Sequence, residues 1–122
     1  MNILLIEPDK PLADTYQKAL QKAGYQVNRS ADVQTAIDII DQKIPDVILL
    51  EIQQNTHNGI EFLYELRSYP EWQSIPIIVA SIIPEHDIGL TKPIKKQLNI
   101  KSYYYKPRLS LDELVRAIEA VQ

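Results

Sequence analysis

Residues Val47-Ile48-Leu49-Leu50 form a short, continuous, β-branched apolar run, held between Pro45-Asp46 and Glu51. A run without alternation has no solvent face. It therefore reads as a strand buried on both sides, as in a parallel sheet covered by helices. Ile3 to Ile6 has the same character, and Ile75 to Ile83 extends it, with Pro76 at the start where a strand tolerates proline. Between these runs the apolar spacing changes to the helical period. Leu12, Tyr16, Ala19, Leu20 and Ala23 form one stripe, which Asp9 and Pro11 open and Gly24 closes. Val33, Ile37, Ile40 and Ile44 form a second, expected to be capped by Ser30 and closed by Pro45.

Tyr25 to Asn28 reads as a short strand between these two helices. Asn58-Gly59-Ile60-Glu61 resembles a capping box and opens a third helix over Ile60, Leu63 and Leu66. Pro84 to Ile100 should hold a short or broken helix, because Gly89 and Pro93 oppose a long one; a turn is expected from about Pro93 to Leu98. Lys101 to Lys106 contains Tyr103-Tyr104-Tyr105, good strand formers. Ser110-Leu111-Asp112-Glu113 is a capping box that starts a last helix with Leu111, Leu114, Val115 and Ile118 on one face.

Strand and helix thus alternate along the whole chain. That pattern implies one α/β domain over residues 1–122, a doubly wound five-stranded parallel sheet with helices on both faces. Right-handed crossovers bring the carboxyl ends of the first, third, fourth and fifth strands to one crevice. Glu7, Pro8, Asp9, Glu51, Ser81 and Lys106 fall there. Cysteine is absent, which removes a disulfide framework and thiol chemistry, and a net charge of −3 opposes nucleic-acid binding through the phosphate backbone. The opening apolar run is too short for a signal peptide and no stretch reaches membrane-spanning length, so a cytoplasmic protein is the expectation.

These pieces resemble the receiver domain of two-component response regulators. Ile3-Leu4-Leu5-Ile6-Glu7-Pro8-Asp9 resembles the family's first strand and acidic pocket. Pro45 to Glu51 resembles the strand that ends in the phospho-accepting aspartate, and Asn58 to Leu63 the glycine-led third helix. Pro76 to Ser81 resembles the strand ending in a hydroxyl residue, and Tyr103 to Pro107 the strand carrying the pocket lysine. The resemblance implies a flavodoxin-like (CheY-like) sheet of strand order 2-1-3-4-5. It also implies a signalling role in a phosphorelay and no enzyme activity. Ser81, Tyr103 and Lys106 take the switch positions, and Glu7 and Asp9 stand in the acidic pocket.

Two positions depart from the family. Glu51 replaces the acceptor aspartate, and Pro8 replaces one of the paired acids. Proline offers no side-chain oxygen to magnesium, which takes one or two carboxylates plus waters. The added methylene of Glu51 displaces its carboxylate, and a misplacement of about 1 Å can cost roughly a hundredfold in rate. The expectation is an atypical receiver that acts without phosphorylation. The longer carboxylate would imitate the phosphorylated aspartate by reaching Ser81 and Lys106. No cofactor is expected, Glu7 and Glu51 being weak candidates for a magnesium ion. The predicted partner is a protein or a second copy, docked on the fourth-helix, fifth-strand and fifth-helix face. Two alternatives stand beside this reading: a magnesium-dependent phosphoacceptor with an unusual pocket, and a pseudo-receiver that senses a quinone-like molecule through Ile82 to Ile100.

Several residues have plainer readings. His57 and His86 are isolated and expected in exposed loops, and Trp72 is expected as a lid over core. Lys92, Lys95 and Lys96 form a small basic cluster on a solvated face. Along the last strand, Tyr104 should face opposite to Tyr103 and Tyr105.

Overall fold

The computed structural model describes residues 1–54 and 58–121; His57 lies outside them. Five strands pair in parallel in the order β2-β1-β3-β4-β5. They are β1 (Asn2–Ile6), β2 (Gln26–Ser30), β3 (Val47–Leu50), β4 (Ile77–Ser81) and β5 (Ile100–Tyr105). The continuous apolar runs are the central strands, and their burial explains the missing alternation: every residue of β1, β3 and β4 is buried.

Helices α1 (Lys10–Lys22), α2 (Val33–Gln42), α3 (Gly59–Arg67), α4 (Glu85–Ile88), α5 (Lys92–Gln97) and α6 (Leu111–Glu119) complete the fold. Tyr16, Leu20, Leu114 and Ile118 of α1 and α6 pack with Ile3, Leu5, Leu49 and Ile78 on one side of the sheet. On the other side, Ile40, Phe62, Leu63 and Leu66 of α2 and α3 pack with Leu4, Ile6, Ile48 and Ile77. Tyr103 joins this second side and Tyr104 the first, as the strand period requires.

Local signals hold at most helix ends. Asp9 accepts from the Leu12 N–H, Gly24 takes a φ of +100°, and Ser110 and Glu113 form both halves of a capping box. Four expectations are corrected. Asp32, not Ser30, caps α2: Ser30 ends β2 and donates its hydroxyl to the Asp32 carbonyl. Ile44 lies beyond α2 and is 48% exposed. Leu111 is 40% exposed, because α6 turns Leu114, Ala117 and Ile118 inward. The turn expected around Pro93 is instead α5, since a proline in the first helical turn loses no bond. Gly89, at φ +74°, ends α4 and forces the break the sequence implied.

Trp72 and His86 meet the plainer readings in their burial, although His86 lies on α4 and not in a loop. Trp72 is buried and its ring lies 4.6 Å from that of Tyr69. His86 is exposed, 3.3 Å from Asp87.

Candidate functional site

Four strand ends build the site. Glu7 follows β1, Glu51 follows β3, Ser81 ends β4 and Lys106 follows β5. The parallel register sets Ile6 beside Leu50, so the two glutamates leave adjacent strands side by side. Ser81 pairs with Tyr105, which delivers Lys106 to the same rim. All three of Glu7, Glu51 and Ser81 are buried. Two ionised carboxylates at this depth require partners, because an uncompensated buried charge costs several kcal/mol (order of magnitude).

The partners are present. The Lys106 ammonium lies 2.5 Å from Glu7 Oε1 and donates to Glu51 Oε1 at 2.6 Å. Glu51 Oε1 also accepts from the Ile82 N–H at 2.9 Å. Its Oε2 accepts from the Gln53 N–H at 2.9 Å and, in a short bond, from the Ser81 hydroxyl. Glu7 Oε2 accepts from the Asp9 N–H at 3.0 Å. Each oxygen of both carboxylates thus faces a donor.

A relay of hydrogen bonds leads outward. Ser81 Oγ accepts from the Ile83 N–H at 3.0 Å, and the Ile83 carbonyl accepts from the Tyr103 hydroxyl at 2.5 Å. Burial is the main cause that raises the Tyr103 pKa; the carboxylates of Glu51, Glu85 and Asp87 add to it, and Ser81 opposes it. The side chain of Asp9 stands apart: it caps α1 at 3.1 Å from the Leu12 N–H, and only its backbone meets Glu7.

Some residues escaped the sequence reading. The Arg29 guanidinium donates to the Glu7 carbonyl at 2.8 Å and to the Pro8 carbonyl at 3.3 Å, which fixes the turn carrying Glu7. Tyr16 is pushed up to about 12, first by burial and then by the charges of Glu7 and Glu51. Gln54 donates to the Glu51 carbonyl at 2.6 Å. The signal for Arg29 was its place on β2, beside Leu5, two residues short of Glu7. Gly59 carries a close approach, since an added Cβ would sit 2.8 Å from the Ile52 backbone. That contact keeps the start of α3 against the segment after Glu51.

The fit to a divalent cation is poor. Magnesium and a hydrogen-bond donor compete for the same carboxylate lone pairs; Glu51 already meets four donors, and each Glu7 oxygen meets one. Pro8 supplies no side-chain oxygen. Among the described residues no three His, Asp or Glu side chains gather as a metal site. Gln54 Oε1 is a buried oxygen without a donor among the described residues, but one neutral oxygen does not replace two carboxylates.

Residues 3–119 match the response regulator receiver domain family, and the chain belongs to it. Solved structures show the same fold. The chain is 21% identical to the chemotaxis protein CheY4 of Vibrio cholerae, with a TM-score of 0.86, covering 99% of this chain and 98% of that one. It is 23% identical to a two-component response regulator from Clostridium difficile, with a TM-score of 0.84 and coverage of 99% and 94%. It is 24% identical to the Mn2+-bound form of the response regulator Rcp1, with a TM-score of 0.77 and coverage of 98% and 91%. The chain is thus a receiver domain of two-component signalling, a class of signalling modules that work through other proteins and are generally not enzymes. No helix among the described residues is long and apolar enough to cross a membrane.

Proposed function

We propose that residues 1–122 form a single receiver module that signals without phosphorylation. One observation carries this reading: the Glu51 carboxylate is met by the Ser81 hydroxyl, the Ile82 N–H and the Lys106 ammonium. These are donors suited to an anionic group extending from the acceptor position. Glu51 supplies that group permanently, through its own longer side chain.

The chemistry of phosphotransfer is correspondingly disfavoured. A carboxylate nucleophile needs a free oxygen in line with the phosphoryl group, and a cation to offset charge in the transition state. Both Glu51 oxygens are occupied, and Glu7 shares its one ammonium with Glu51. Rcp1 has a Mn2+-bound form; here Pro8 leaves that chemistry one carboxylate short.

The output is binding. The relay from Glu51 through Ser81 and Ile83 ends on Tyr103, which stands on β5 between α4 and α6 in chain order. The α4–α5, β5 and α6 face is therefore the surface through which the pocket's state reaches a protein partner, in the cytoplasm. Nucleic acid and membrane are not partners of this module. Within the basic cluster, Lys95 is paired with Glu85 at 2.6 Å, which leaves Lys92 and Lys96 as the exposed cations on α5.

Incubation with acetyl phosphate and magnesium, followed by intact-mass measurement, tests the reading. No phosphoryl mass gain is expected. A stoichiometric gain lost in Glu51→Gln would establish a working phosphoacceptor instead. Glu51→Gln is also expected to shift the Tyr103 ring signals in NMR, and unchanged signals would break the relay.

A further inference from the structure

The pocket holds two buried glutamates and two nearby cations, and the second cation is Arg29. Its guanidinium donates to the carbonyls of Glu7 and Pro8, at the turn that carries Glu7. Lys106 occupies the space between the carboxylates, 2.5 Å from one and 2.6 Å from the other. Its side chain is only 12% exposed, so the ammonium is not a passing surface ion. An ammonium has three donors, and two suffice to bridge the carboxylates. A divalent ion entering here would have to displace Lys106 or sit beside it, against like charge.

We infer that Lys106 is the pocket's built-in counter-ion: the intact domain has no divalent-cation site, and loss of the Lys106 amine creates one between Glu7 and Glu51. This deepens the reading above and rests on the same placement of Glu51. It assigns a second duty to Lys106. The side chain that contacts the acceptor position also stands in for the metal. The cation class that would enter the vacated site is a hard, oxygen-seeking divalent ion such as Mn2+ or Mg2+.

The test uses the whole chain and no phosphodonor, so its outcome is separate from that of the acceptor experiment. Amide spectra are recorded during titration with manganese chloride, and thermal midpoints are measured with and without magnesium chloride, both at millimolar ion. In the natural protein, broadening at Glu7, Glu51 and Ile82 should be no greater than at exposed Asp14, with no rise in midpoint. In Lys106→Met, broadening should become saturable and selective for Glu7 and Glu51, and magnesium should raise the midpoint. Lys106→Arg keeps the positive charge and should behave like the natural protein. Saturable broadening at Glu7 and Glu51 in the natural protein would overturn the inference. So would a Lys106→Met protein that neither folds nor binds with the ion present, if Lys106→Gln, which retains a donor, does the same.

Discussion

Lys106 and Arg67 are both cations set against ends of one sheet, and they meet opposite surroundings. At the carboxyl end, Lys106 faces two carboxylates from neighbouring strands. At the amino end, Arg67 of α3 donates only to carbonyls among the described residues. It donates to Leu98 O at 3.1 and 2.7 Å, to Trp72 O at 2.7 Å and to Ile75 O at 2.6 Å. Burial pushes the Arg67 pKa down, yet a guanidinium keeps its charge. Its planar fork ties α3 to the segments entering β4 and β5, and nothing there can exchange a proton or a ligand. The Lys106 cluster sets one positive charge against two negative ones, and a single substitution changes that sum. Arg67 is a staple and Lys106 belongs to a site, although each cation is partly buried.

Substitution should separate the two. Lys106→Met removes the cation between two buried carboxylates and should cost about 3–5 kcal/mol, the usual range for breaking a buried ion pair. A urea midpoint in ion-free buffer reads it, and a loss below about 1 kcal/mol would mean that the carboxylates find other partners. Arg67→Met removes donors from three carbonyls and should cost about 3 kcal/mol. Hydrogen exchange should then speed up at Ile75, Ile77 and Ile100 while the Glu51 and Tyr103 signals stay in place. Movement of those signals would show that the two ends are coupled.

Glu51→Asp is a smaller and sharper probe. It withdraws the carboxylate by one methylene, so it cannot keep Ser81, Ile82 and Lys106 together. A loss of about 1–2 kcal/mol is expected from the weakened charged hydrogen bonds. A shift of the Tyr103 ring signals should accompany it, and an unshifted ring would remove Tyr103 from the relay. The smallest effect is alkaline. With Tyr16 held near 12 against an ordinary 10, the unfolded chain loses this proton first. Its contribution is complete below pH 10 and is lost as pH rises through about 12. The raised Tyr103 adds in the same sense. Stability against urea should therefore fall over that window, and Tyr16→Phe should flatten the slope; an unchanged slope would exonerate Tyr16.

The buried central strands could be inferred from the chain because burial on both faces leaves a visible mark, unbroken apolar runs at Ile3–Ile6 and Val47–Leu50, whereas their order in the sheet came from the family resemblance. Helix faces were less clear. Ala13, Ala36 and Ala117 are buried, but alanine carries little hydrophobic signal, while the larger Ile44 and Leu111 drew the stripes outward. Glu7, Glu51, Ser81 and Lys106 could be assembled from their places at strand ends. Arg29, Arg67 and Tyr16 could not. Their partners are mostly backbone carbonyls or charges many residues away, and a lone polar residue on a helix or edge strand looks solvated.

By itself the sequence determined the alternation of strands and helices, most helix caps, and which residue types reach the crevice. Those follow from local rules: hydrophobic period, capping chemistry and the chirality of crossovers. Tertiary structure alone decided that one ammonium lies between two carboxylates and that Glu51 spends both oxygens on protein donors. Such choices depend on distances between residues 30 to 99 positions apart in the chain, and no local pattern encodes them.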